Sequence, residues 1–98
     1  MKHRMLHNGV AKLIEECGEL QQIAGKMLNF PDVEYHPDSM TYENPKTMLQ
    51  RLQEEIADVE AACYYVAKKY RLNYTEVVNR TSKKVAQYEE WEKGDEYD

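Results

Sequence analysis

The sequence predicts an all-α protein, an antiparallel helical bundle of about three helices per chain that is completed by oligomerisation. Three observations carry this expectation. Apolar residues recur mostly at three- and four-residue steps in three separate stretches, and no stretch shows the strict alternation of a strand. The chain has only 98 residues, so it buries a smaller share of its surface than a larger one and would gain much from a second copy. Residues 1–98 read as one domain, with 1–7 an N-terminal arm, 31–44 an inter-helix loop and 94–98 a frayed acidic tail.

The elements follow in order. Asn8 is placed to cap a first helix running to about Asn29, with Val10, Leu13, Ile14, Cys17, Leu20, Ala24, Met27 and Leu28 as its apolar stripe. Phe30-Pro31 ends it. From Pro31 to Asn44 the composition shifts to Asp, Glu, Tyr, His, Ser and Pro without a sustained period, which marks a loop. A loop of this length in a compact domain is more often functional than idle. Asn44-Pro45 reads as an N-cap with proline at the first helical position, opening a second helix that ends near Arg71. Its stripe is Met48, Leu49, Leu52, Ile56, Val59, Cys63, Val66 and Tyr70. Asn73 or Thr75 caps a third helix carrying Val77, Val78, Thr81, Val85, Tyr88 and Trp91, before Gly94.

Composition narrows the function. The net charge of −5 comes from 18 acids against 13 bases, with only short basic pairs at Lys68-Lys69 and Lys83-Lys84. Nucleic-acid binding by counterion release needs a basic face, so no nucleic-acid partner is expected. An acidic protein that handles phosphates should do so through a metal. No apolar run approaches the roughly 20 residues of a membrane span, and the basic Met1 to Asn8 start has no apolar segment behind it. Cys17 and Cys63 fall on helical stripes and read as reduced core residues. The expectation is a cytoplasmic protein with no membrane partner.

The acids carry the chemistry. In Glu15-Glu16-Cys17-Gly18-Glu19, the three-residue step sets Glu16 and Glu19 side by side along one edge of the apolar stripe, Glu16 nearest the core. In Gln53-Glu54-Glu55-Ile56-Ala57-Asp58, Glu55 flanks the Leu52-Ile56-Val59 stripe and Asp58 lies one turn along. If these helices pack antiparallel through those faces, the two pairs converge into four carboxylates that need cations. Carboxylate oxygen without histidine or thiolate is the ligand set of hard divalent ions, so Mg²⁺ is expected, with Mn²⁺ as its substitute. A di-iron bundle would want Glu-x-x-His on its helices, and neither acidic pair is followed by one. His3, His7 and His36 all lie outside the helix cores.

The segments Ile14-Glu15-Glu16-Cys17-Gly18-Glu19-Leu20 and Glu54-Glu55-Ile56-Ala57-Asp58-Val59 resemble the MazG-like, all-α NTP pyrophosphohydrolase superfamily, whose hallmark is an EExxE motif on one helix and an ExxD motif on the next. The resemblance extends from about Val10 to Tyr88, and Glu16 through Lys26 looks more like the small phage-type members. It implies that Glu16, Glu19, Glu55 and Asp58 ligate Mg²⁺, and that Glu15, the first acid of its motif, orients or deprotonates the attacking water. It implies phosphate contact from Lys83 or Lys84 on the third helix. The long loop between the motif helices departs from the family pattern, and its Tyr35, His36 and Tyr42 are candidates for contact with the nucleotide, the aromatic faces by stacking on a base. The implied activity is Mg-dependent hydrolysis of an NTP or dNTP to the monophosphate and pyrophosphate, by a homodimer or homotetramer. Two alternatives stand beside it: phosphoribosyl-ATP pyrophosphohydrolase, from the same superfamily, and a non-catalytic helical protein that binds metal or nucleotide for regulation.

Overall fold

The computed structural model describes residues 7–29 and 47–97. They form three helices and no strand: α1 (Val10–Asn29), α2 (Met48–Lys69) and α3 (Tyr74–Tyr97). No helix among the described residues is long and apolar enough to cross a membrane.

The helix ends show how local chemistry sets the boundaries. The expected cap Asn8 does not cap α1. His7, Asn8 and Gly9 all take positive φ, at 53°, 52° and 93°, and the Gly9 carbonyl accepts the first helical hydrogen bond from Leu13 N–H at 2.9 Å. Asn and Gly tolerate the left-handed region best, which suits them to this tight entry. At α2 the cap is Thr47, because Thr47-x-x-Gln50 closes a capping box. The Thr47 hydroxyl accepts from Gln50 N–H at 3.2 Å, and the Gln50 side chain accepts from Thr47 N–H at 2.8 Å. The expected cap at Asn44-Pro45 lies outside the described residues.

Helix α2 stops in a Schellman arrangement. Arg71, at φ 55°, donates to the Lys68 carbonyl and Leu72 donates to the Ala67 carbonyl. Asn73 then caps α3, its side-chain oxygen accepting from Glu76 N–H at 3.2 Å, which decides between Asn73 and Thr75. Helix α3 runs through Gly94 to Tyr97 instead of ending before it.

Helices α1 and α2 pack antiparallel. The end of α1 meets the start of α2 where Ile23 and Met48 form a buried cluster with Met27 and Leu52. The start of α1 meets the end of α2 where the Tyr70 hydroxyl donates to the His7 carbonyl at 3.1 Å. Between these ends runs a seam of alternating four- and three-residue steps: Gly9, Leu13, Glu16, Leu20, Ile23 and Met27 on α1, against Met48, Leu52, Glu55, Val59, Ala62 and Val66 on α2. All twelve are buried or half-buried. This is the spacing of a coiled-coil seam, in which a seven-residue repeat keeps one narrow stripe facing the partner.

That seam corrects the broader stripe read from sequence. Ile14 and Leu28 lie off it and are 68% and 84% exposed, whereas Ile23, absent from the expected stripe, is buried. Cys17 and Cys63 also lie off it. Both are free and exposed, not core residues. Helix α3 buries none of its described side chains: residues 74–94 are all exposed. Its contact with α2 includes the edge of Tyr74 against the ring of Tyr64, centroids 5.2 Å apart. The radius of gyration, 16.6 Å, exceeds the ~13 Å of a compact chain this long, as a splayed third helix requires.

Candidate metal centre

Glu16 and Glu55 occupy core positions. Glu16 lies midway between Gly9 and Ile23 on α1, and Glu55 midway between Met48 and Ala62 on α2, so the antiparallel seam brings them face to face. Each is only 7% exposed. Glu19 is one turn beyond Glu16 and exposed, yet one oxygen from each of Glu16, Glu19 and Glu55 lies within 4.8 Å of the other two. Three carboxylates so placed could hold a metal ion.

The electrostatics follow from burial. The Glu55 carboxyl is pushed up to about 8, first by its hydrogen bond to Glu16, then by burial, then by Glu19. Glu16 is held below the ordinary carboxylate range, first by the hydrogen bond from Glu55 and next by Lys12, against the effect of burial. One proton is therefore retained between two facing acids near neutral pH. As carboxylates, Glu16 Oε2 and Glu55 Oε2 are both buried with no hydrogen-bond partner among the described residues. Buried oxygens in that state need a proton or a cation.

Lys12 is a site residue that sequence reasoning missed. Its ammonium lies 3.2 Å from Glu16 and 3.3 Å from Glu15, and its own pKa is raised chiefly by the hydrogen bond to Glu16. The signal was present: Lys12 stands three and four residues before the two acids, where helical side chains meet. Glu15 is exposed and held by Lys12.

The remaining sequence candidates fall elsewhere. Asp58 is exposed and is not part of the three-carboxylate group. It stands one turn past Glu55 on the outward side of the seam, and its side chain is a methylene shorter than that of Glu19. Lys83 and Lys84 lie on α3, exposed, lining a shallow surface depression with Arg80 and Gln87. Tyr35, His36 and Tyr42 lie outside the described residues. The exposed cysteines are not part of the three-carboxylate group. The Cys63 thiol is raised by burial, with Cys17 and Glu60 adding to the shift.

No family model matches the chain, and no curated protein or solved structure matches it significantly.

Proposed function

We propose that the protein is a Mg²⁺-dependent nucleoside triphosphate pyrophosphohydrolase, converting an NTP or dNTP to the monophosphate and pyrophosphate. The observation that carries the reading is the meeting of Glu16, Glu19 and Glu55, two of them buried at core positions with an unpartnered oxygen each. A buried carboxylate oxygen without a partner is costly, and a purely structural seam would place apolar residues there. All-oxygen ligation favours a hard ion that keeps water and phosphate oxygens in its open positions. The ion, when bound, neutralises phosphate charge and lowers the pKa of water. The resemblance of the two acidic motifs to the MazG-like superfamily narrows phosphate chemistry to this reaction.

The chain's own groups then have distinct tasks. Glu16, Glu19 and Glu55 hold the cation, with Asp58 as the fourth ligand that the resemblance implies. Glu15, beside Glu16 and facing solvent, is available to orient or deprotonate water. Lys12 offsets the charge of Glu15 and Glu16 by binding one oxygen of each.

The reading includes a second copy of the chain. Helix α3 leaves Val78 and Val85 each 48% exposed, Tyr88 54% and Trp91 58%. Its first half carries Arg80, Lys83 and Lys84 against Glu76, its second half Glu89, Glu90 and Glu92 against Lys93. Two α3 helices laid antiparallel place basic halves beside acidic halves, so the surface complements itself about a twofold axis.

The test is pyrophosphate release from all common NTPs and dNTPs with Mg²⁺ or Mn²⁺. Release from at least one nucleotide is expected, and it should vanish with chelator. If neither pyrophosphate nor phosphate is released from any of them, the enzymatic reading is wrong.

A further inference from the structure

Beside the three carboxylates, α1 and α2 enclose a cleft of about 220 Å³ lined by Glu19, Gln22, Ile23, Lys26, Arg51 and Glu55. It is acidic at one end and basic at the other. Arg51 is one turn before Glu55, about 6 Å along α2, and Lys26 is two turns beyond Glu19, about 10 Å along α1. Because the helices run antiparallel, both displacements point the same way. The two cations therefore sit together, offset from the carboxylates toward the Ile23–Met48 end.

Arg51 is half-buried, yet neither its side chain nor that of Lys26 makes a hydrogen bond or ion pair with any described residue. This is unexpected for Arg51, which stands four residues from Glu55, the spacing of a helical ion pair. Glu55 is instead buried in the seam against Glu16 and makes no ion pair with the guanidinium. A guanidinium fork and an ammonium without side-chain partners among the described residues match, in a cleft, the oxygens of a phosphate.

We propose that this cleft binds the phosphoryl chain of a polyphosphate ester, with Arg51 and Lys26 holding the end remote from the carboxylates. The inference rests on the metal-assisted reading above and deepens it, since it names who holds the substrate. The phosphate grip is placed on α1 and α2 themselves, whereas the family resemblance places it on Lys83 or Lys84 of α3. Arg51 takes two oxygens of one phosphoryl group through its fork, and Lys26 adds a point charge.

The test uses the full chain and inorganic pyrophosphate as the probe, titrated calorimetrically with and without saturating Mn²⁺, alongside Mn²⁺ binding alone by electron paramagnetic resonance. Arg51→Gln and Lys26→Gln should each weaken pyrophosphate about tenfold or more, as expected for loss of a charge-assisted contact. Their helical circular dichroism should match wild type, and their Mn²⁺ affinity should stay within about threefold of it. The Lys83→Gln/Lys84→Gln double variant should bind pyrophosphate within about twofold of wild type. Wild-type affinity in both Arg51→Gln and Lys26→Gln, or loss confined to the Lys83/Lys84 variant, overturns the proposal, as does a wild type that binds pyrophosphate in neither condition. If pyrophosphate binds through Arg51 and Lys26 while Mn²⁺ does not bind at all, the metal reading falls and the phosphate cleft stands.

Discussion

Helices α1 and α2 on one side, and α3 on the other, carry apolar residues at the same alternating steps but end in opposite states. Gly9-Leu13-Glu16-Leu20-Ile23-Met27 faces Met48-Leu52-Glu55-Val59-Ala62-Val66, and every member of both lines is buried or half-buried even though each has a glutamate at its middle. Tyr74-Val78-Thr81-Val85-Tyr88 has the same spacing and no acid, yet every member is exposed. Periodicity says that a helix has a seam; it does not say which copy of the chain supplies the partner. The difference also separates two kinds of departure from a packed core. The glutamates of the first pair are enclosed and electrostatically strained, which points to a ligand. The apolar face of α3 is open and carries no acid, which fits the second copy proposed for it.

The largest expected effect breaks the comparison on the acidic side. Glu19→Gln keeps size and helix propensity while removing one of three converging charges, so nucleotide hydrolysis should fall by about 100-fold or more. Glu89→Gln on α3 should leave the rate within about twofold. Initial rates of pyrophosphate release at saturating Mg²⁺ measure both, and equal effects would mean that the acids of α1 are no different from a solvated charged face.

On the apolar side, Val85→Glu tests whether α3 has a partner. In an isolated chain Val85 is 48% exposed, so the substitution should cost no more than about 0.5 kcal/mol. In an assembly that covers the stripe it buries an unpaired carboxylate. Sedimentation velocity should show the wild type as a dimer or larger and the variant shifted to monomer at micromolar concentration. A wild type already monomeric at that concentration, or a variant that sediments unchanged, leaves α3 without its second copy.

Acidity gives the third test. Glu55 has its folded pKa raised, from 4.5 to about 8, so the protonated form is the one the fold favours. Its stability contribution is fully present below 4.5 and is lost as pH rises from there through about 8. The metal-free protein should therefore lose melting temperature between about pH 4.5 and 8, and Mn²⁺ affinity should rise over the same interval because the ion displaces the shared proton. Glu55→Gln mimics the protonated acid. It should raise the metal-free melting temperature at pH 8 by roughly 4–8 °C, about 1 kcal/mol for a chain of this size, flatten the pH dependence and abolish stabilisation by Mn²⁺. A variant that melts lower than wild type without metal would show that the carboxylate is stabilising as it stands.

Much of this arrangement is legible in the residues. Three helices follow from the apolar steps, and the convergence of Glu16, Glu19 and Glu55 follows from helical geometry once antiparallel packing is supposed. Other features are hidden for physical reasons. A stripe drawn through apolar residues alone skips Glu16 and Glu55, swings toward Ile14 and Leu28, and takes Cys17 and Cys63 inside. Allowing an acid on the seam restores the seven-residue repeat and places Ile23 correctly. The exposure of Asp58 depends on side-chain reach and on which side of the seam the next turn falls, and no sequence period records that. The cap at Thr47 was readable from its glutamine partner three residues on, but Asn44-Pro45 offers a competing start signal nearby.

The smallest effect sharpens the comparison along the backbone. A Cβ built on Gly25 of α1 or Gly94 of α3 meets nothing within 4 Å. Alanine relieves the entropic cost of helical glycine, worth about 0.5–1 kcal/mol where no contact intervenes. In the paired helix, whose partner is already in place, Gly25→Ala should deliver that gain as a rise of a few degrees in melting temperature. On α3 the gain from Gly94→Ala is smaller, because the last turn of a helix contributes least to the cooperative transition and carries acids, Glu92, Asp95 and Glu96, that oppose its dipole. Differential scanning calorimetry of the two variants measures the contrast. A larger gain from Gly94→Ala than from Gly25→Ala would mean that the end of α3 is part of the cooperative core, held there by a surface that the single chain does not contain.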